Sequence, residues 1–228
     1  MILVLANEVD PEAEYFVHEL AGYLPDVVVH DYARDGGPRT VAGFDELDGV
    51  DDASAVDGVV LSGSTAGVYE SDAYPWMDDQ RALVRELVDE KIPTLGVCFG
   101  HQLVNDALGG TVEHRGLTTK LVSLELADDP LFAGVNGTVP MVHGDVVVDA
   151  GAGMDPIASA DYYPLVATRH REAPLWTTQF HPEFTEALRD RVRRDFGWSD
   201  SPDSERTFDD VTATRVFENF RRLASDSA

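Results

Sequence analysis

The stretch Ile92-Pro93-Thr94-Leu95-Gly96-Val97-Cys98-Phe99-Gly100-His101-Gln102-Leu103 decides the fold. Ile92 to Val97 is a short apolar run of the length and composition of a buried strand. Leu103, Val104, Ala107 and Leu108 then fall at helical spacing, and Gly109-Gly110 end that pattern as C-cap glycines do. A strand that ends in a cysteine and runs straight into a helix has the form of a nucleophile elbow. The sharp turn exposes the sulfur, small neighbours avoid clashes, and the helix N-terminus favours a thiolate. A lone cysteine is also a common small core residue. A core cysteine, however, needs neither the glycines two residues to either side nor the pair His181-x-Glu183 that follows in Gln179-Phe180-His181-Pro182-Glu183.

Outward from the elbow, strand and helix patterns alternate. Met1–Ala6 reads as a buried strand, and a helix opened by Pro11 runs to about Leu24 with Tyr15, Phe16, Leu20 and Tyr23 inward. Asp26–Tyr32 is a second strand, residues 33–40 a Gly/Pro loop, and Phe44–Val50 at most a short helix. Ala55–Leu61 is a third strand, followed by the small-residue loop Ser62-Gly63-Ser64-Thr65-Ala66-Gly67. Asp78–Lys91 is amphipathic, with Leu83, Leu87 and Val88 on the buried side. This order predicts a parallel sheet covered on both faces. After Thr111 the runs Lys120–Leu126, Pro140–Val148, Ile157–Ala160, Leu165–Thr168 and Leu175–Phe180 have no good helix between them. They are expected to form a smaller antiparallel meander beside the main sheet. Phe184–Asp195 reads as helix, and residues 197–205 as a polar linker. Thr207 would cap a last helix to about Leu223, whose apolar face packs on its own domain or offers a docking surface. The expectation is one domain over residues 1–228, with 197–228 an atypical tail.

Charge separates this chain from ordinary globular composition. Forty-two acids against seventeen Lys and Arg give a net charge of −25, and the acids are spread along the whole length. Such a surface repels nucleic acid and anionic membranes, so neither is an expected partner. Even spreading favours adaptation to a salty, halophilic interior over a local site for a cationic substrate, because salt screens the self-repulsion. One cysteine excludes an internal disulfide and a cysteine-rich zinc site. The apolar N-terminus reads as a strand and not as a basic leader, and no run approaches membrane-spanning length, so a cytoplasmic protein is expected.

Gly96-Val97-Cys98-Phe99-Gly100-His101-Gln102, with Gln179-Phe180-His181-Pro182-Glu183 about eighty residues later, resembles the class I (triad) glutamine amidotransferases. The resemblance runs from Met1 to about Phe184. It implies an α/β, flavodoxin-like three-layer sandwich, and hydrolysis of the glutamine side-chain amide through a cysteinyl γ-glutamyl thioester. Cys98 would be the nucleophile. His181 would be the general base and then acid, and Glu183 the group that fixes the imidazole tautomer. Two residues apart in an extended segment, His181 and Glu183 would project to the same side.

The oxyanion hole would use the backbone N–H of Phe99 and the loop Ser62-Gly63-Ser64. Ser64 stands where the family commonly has a second glycine, and a positive φ there would be costly for serine. By resemblance Gln102 contacts the substrate. Val142-His143-Gly144-Asp145 looks like the segment that borders the glutamine amino and carboxylate groups in the GMP synthetase amidotransferase domain, although His143 read alone could equally sit in a plain turn. No cofactor and no metal is expected: the other histidines, 18, 30, 101, 114 and 170, lack ligand spacing, and neither Gly-x-Gly-x-x-Gly nor Gly-Lys-Ser/Thr is present.

Three functions remain open from sequence. One is a glutaminase that passes ammonia to a separate synthetase subunit, since no nucleotide loop is present in the chain. Another is a stand-alone hydrolase of γ-glutamyl amides or peptides. A third is a catalytically idle binding or regulatory domain.

Overall fold

The computed structural model describes residues 1–198 and 206–226. The strands are β1 (Ile2–Ala6), β2 (Val27–Asp31), β3 (Gly58–Leu61), β4 (Thr94–Val97), β5 (Thr111–Ser123), β6 (Glu125–Leu126), β7 (Thr138–Asp149), β8 (Met154–Ala160), β9 (Tyr163–His170) and β10 (Leu175–Thr178). The helices are α1 (Tyr15–Gly22), α2 (Tyr32–Asp35), α3 (Trp76–Asp89), α4 (Phe99–Ala107), α5 (Arg189–Phe196) and α6 (Arg215–Ser225).

Eight strands form the main sheet in the order β2-β1-β3-β4-β10-β9-β8-β6. The first five run parallel, and β9, β8 and β6 continue antiparallel. Alternation along β1 builds both halves of the core. Ile2, Val4 and Ala6 point to one face with Val60, Leu95 and Val97, covered by Val17 and Leu20 of α1 and Val216, Phe217 and Phe220 of α6. Leu3 and Leu5 point to the other with Val59 and Leu61, covered by Leu83, Val84 and Leu87 of α3 and Leu103 and Val104 of α4. The result is the expected three-layer arrangement, and the apolar stripe of α6 is spent on its own core.

The smaller antiparallel sheet is present beside the mostly parallel one, but with fewer strands than the sequence runs suggest. Strands β8 and β9 join the main sheet, and β10 is inserted beside β4 in parallel register, Leu175 opposite Thr94 through Thr178 opposite Val97. Among the described residues, only β5 and β7 form a separate antiparallel ribbon, interrupted by a bulge between His114 and Thr118. A parallel neighbour for β4 must come from a distant segment, and β10 meets that need.

Helix boundaries also shift. Thr207 caps the single 3-10 turn Phe208–Asp210 with a reciprocal bond from Asp210, and α6 begins only at Arg215. Helix α1 begins at Tyr15, four residues after Pro11, and leaves Tyr23 exposed. Of the expected linker, Gly197 ends α5 in a left-handed conformation and Trp198 packs edge-on against Phe184; residues 199–205 lie outside the described residues.

Candidate active site

Three neighbouring parallel strands, β3, β4 and β10, end on the same side of the sheet. The chain leaves them as Ser62-Gly63-Ser64, as Cys98, and as Gln179 to Glu183. Convergence at the carboxyl ends of parallel strands is where ligands bind in open α/β sheets.

Cys98 occupies the junction between β4 and α4 with φ 52° and ψ −106°, a conformation that L-residues avoid. Surrounding packing enforces it. A Cβ on Gly100 would lie 2.3 Å from the Leu61 carbonyl oxygen, and one on Gly96 would lie 2.6 Å from the Gly100 oxygen, so α4 can seat against β3 and β4 only with glycine at both positions. Cys98 N–H donates to the Thr178 carbonyl at 2.8 Å, which ties the elbow to β10.

The segment after β10 is a turn, not the extended run read from the sequence. The Phe184 N–H donates to the His181 carbonyl at 3.1 Å with Pro182 and Glu183 between, a β-turn with proline at its second position. That turn, and not strand alternation, brings the Glu183 carboxylate to His181 Nδ1 at 2.7 Å. Both side chains are buried, and among the described residues Glu183 Oε2 has no hydrogen-bond partner. Burial pushes the His181 imidazole down, but the Cys98 and Glu183 charges outweigh it and hold the ring well above the ordinary histidine value. With Nδ1 committed to Glu183, Nε2 is the nitrogen left for the sulfur. Phe16 packs on the His181 ring, centroids 4.6 Å apart.

A cavity of about 300 Å³ opens over the sulfur. Gly63, Ser64, Cys98, Gln102, His143, Gly144, Asp145 and His181 all line it. Two expected site residues do not: Glu183 stands behind His181, and the Phe99 side chain turns into the core against Trp76, leaving only its backbone at the first turn of α4. The backbone strain expected at Ser64 does not occur, since neither Gly63 nor Ser64 has a positive φ, and Ser64 Oγ accepts the Ala66 N–H at 3.1 Å. Serine here closes the loop with its hydroxyl. A Cβ on Gly63 would sit 3.2 Å from His181 Cε1, so that position lies directly against the imidazole.

Gln102 donates to the Asp145 carbonyl at 3.3 Å and to Gln179 Oε1 at 3.2 Å. His143 is buried, with Nδ1 donating to the Asp145 carbonyl at 3.0 Å and Nε2 left to accept from the Tyr162 hydroxyl at 3.1 Å. Burial drives its pKa down to about 4, so the ring is neutral. Asp145 Oδ1 meets His114 Nδ1 at 2.8 Å and the Tyr69 hydroxyl at 3.3 Å.

Sequence reasoning missed Tyr69, His114 and Glu8. His114 reaches Asp145 as its cross-strand partner in the β5–β7 ribbon, and no local pattern carries that register. Glu8, on the loop after β1, takes the Thr65 hydroxyl at 2.5 Å and the Thr65, Val9 and Asp10 N–H groups, which pins the loop after β3. Burial raises its pKa against those four bonds. Among the described residues no three His, Cys, Asp or Glu side chains gather as a metal site, and no helix is long and apolar enough to cross a membrane.

The family model for glutamine amidotransferase class-I matches residues 33–196. GMP synthases (glutamine-hydrolyzing) of Porphyromonas gingivalis and Wolinella succinogenes are 37% and 38% identical over 138 and 135 residues, covering 58% and 55% of this chain but 26% and 24% of those proteins. The match therefore spans about a quarter of the length of these curated relatives. A glutamine amidotransferase structure from Thermotoga maritima superposes with a TM-score of 0.67 at 19% identity, over 100% of this chain and 97% of that one. One from Methylobacillus flagellatus gives 0.66 at 19% over 98% and 94%. The elbow, the turn after β10 and the family match agree: the chain belongs to the class-I glutamine amidotransferases.

Proposed function

We propose that the chain hydrolyses the side-chain amide of L-glutamine and supplies ammonia to a separate synthetase, with Cys98, His181 and Glu183 as the triad. The observation that carries this reading is the pair of adjacent parallel strands that end in Cys98 and in a His181 whose Nδ1 is held 2.7 Å from Glu183. The Cys98 thiol gives its proton to His181 Nε2, and the thiolate attacks the amide carbon. Negative charge on the amide oxygen is met by the Phe99 N–H and by backbone donors of Gly63 and Ser64. His181 returns the proton to the departing ammonia. Water, deprotonated by the same imidazole, then cleaves the γ-glutamyl thioester to glutamate and restores the thiol. Gln102, His143, Gly144 and Asp145 would hold the amino-acid end of the substrate.

A second reading, hydrolysis of longer γ-glutamyl amides, draws support from the outer wall of the cavity. Phe16, Tyr69, Leu117 and Phe196 give it an apolar rim that the small amide of glutamine does not need. The test is ammonia and glutamate release from L-glutamine in molar KCl, wild type against Cys98→Ala, with γ-glutamyl anilide in parallel. Turnover on glutamine that falls by at least about 10⁴ in the variant is expected, as for loss of a nucleophile. Equal rates in the two proteins would remove the triad. A higher kcat/KM for the anilide would favour the second reading.

A further inference from the structure

Gln179, which begins the His-Pro-Glu motif, has no role in the mechanism above, yet it lies fully buried against the reacting sulfur. We infer that Gln179 is a catalytic residue: its side-chain N–H donates to the Cys98 sulfur and favours the thiolate, and a buried hydrogen-bond chain through Gln102, Tyr163 and His101 fixes the amide in that orientation.

The geometry is specific about which end of the amide meets sulfur. Nε2 lies 3.6 Å from Sγ. Oε1 accepts from Gln102 Nε2 at 3.2 Å and from the Tyr163 hydroxyl at 3.4 Å. Gln102 cannot reverse its own amide without loss, because the same nitrogen donates to the Asp145 carbonyl. Reversing Gln179 would set donor against donor at Gln102 and a carbonyl oxygen against the thiolate. Tyr163 O accepts the Val147 N–H at 2.9 Å, and its hydroxyl lies 3.0 Å from His101 Nε2. His101 Nδ1 lies 2.7 Å from Thr177 Oγ1, which lies 2.6 Å from Thr168 Oγ1. All five of Gln179, Tyr163, His101, Thr177 and Thr168 are at most 2% exposed. A chain of satisfied polar groups at that depth resists rearrangement.

The sulfur has a second neighbour of opposite preference. The Val142 carbonyl lies 3.7 Å from Sγ and can only accept, so it suits the thiol and repels the thiolate. Gln179 N–H suits the thiolate. Ionisation therefore trades one contact for the other, and Gln179 decides how much the trade costs.

This inference rests on Cys98 as nucleophile, and its test needs no turnover. The chain has one cysteine, so iodoacetamide labelling followed by intact mass reads Cys98 alone. The rate is measured from pH 4 to 10 at fixed KCl for wild type, Gln179→Leu, Gln179→Glu and Tyr163→Phe, with thermal melts as the folding control. Loss of a hydrogen bond to a charged group should move the midpoint of the Gln179→Leu profile up by about one to two pH units. Gln179→Glu, nearly the same shape, should move it further by repulsion, and Tyr163→Phe less, since the amide stays in place. Superposed wild-type and Gln179→Leu profiles overturn the inference. So does an unmoved Gln179→Glu midpoint, which decides the matter if the leucine variant does not fold. A shifted midpoint in a protein silent towards glutamine would overturn the substrate and leave this contact standing.

Discussion

Two non-glycine residues seven positions apart, Lys91 and Cys98, adopt nearly the same left-handed φ, 56° and 52°. Lys91 ends α3. Its N–H reaches the Val88 carbonyl, and the next N–H, of Ile92, reaches back to Leu87 at 2.9 Å, the pattern of a helix stop that glycine normally occupies. Its side chain is exposed. Cys98 is buried, held by a ladder on β10 and by two glycines that let α4 close on β3. The positive φ is incidental in the first case. In the second it aims a sulfur, and strain persists where surrounding structure over-determines it.

The sharpest way to break the contrast is to remove what enforces the second turn. Gly100→Ala puts a methyl 2.3 Å from the Leu61 oxygen and is expected to cost more than about 3 kcal/mol or to prevent folding; urea unfolding measures it. Lys91→Ala, which keeps the positive φ at an exposed site, should change stability by no more than about 1 kcal/mol.

Acid separates the two turns next. His101 and His143, both close to the elbow, are driven by burial to about 3 and about 4. In the unfolded chain each takes a proton near pH 6.5, which the fold refuses. Between about pH 6.5 and 4 the unfolded state binds more protons, so stability falls as pH falls, by up to about 1.4 kcal/mol per unit for each ring. His181 has the opposite shift. Its contribution is complete below the unfolded value and fades as pH rises through the raised one. Chemical unfolding of His143→Gln from pH 7 to 4.5 should show a slope shallower by about 1 kcal/mol per unit on average. An unchanged slope would mean the ring is charged in the fold.

The backbone term itself can be isolated. Cys98→Gly and Cys98→Ala both remove the sulfur, but the glycine variant should be the more stable by about 1 kcal/mol, because only alanine keeps the strain. Lys91→Gly is the mildest change, expected to gain about 0.4–1 kcal/mol with the rate of Cys98 alkylation unchanged. Equal stability of the two Cys98 variants would show that the elbow stores nothing.

Much of this was legible in sequence because it is local. Gly96 and Gly100 around Cys98, the alternating patterns of β1 to α4, and His181 with Glu183 are all short-range signals. The placement of β10 was not, since periodicity records which residues are buried and not which strand lies alongside. The turn at Pro182 was hidden behind an extended reading of three residues. Tyr69 and His114 reach Asp145 only through the ribbon register and the loop after β3, and neither carries a pattern of its own. The early start assigned to α6 came from a good capping residue, Thr207, that caps a shorter turn.

The insertion of β10 beside β4 sets an order of events in folding. Gln179 lies 81 residues after the cysteine it touches, and the whole excursion from α4 through β9 must be made before the two meet. Contacts of such separation carry a loop-closure cost and form late. A chain emerging from the ribosome presents Cys98 long before it presents His181. Until β10 pairs with β4 the sulfur has neither Gln179 nor His181 beside it, so the site is assembled only once this parallel pairing is complete.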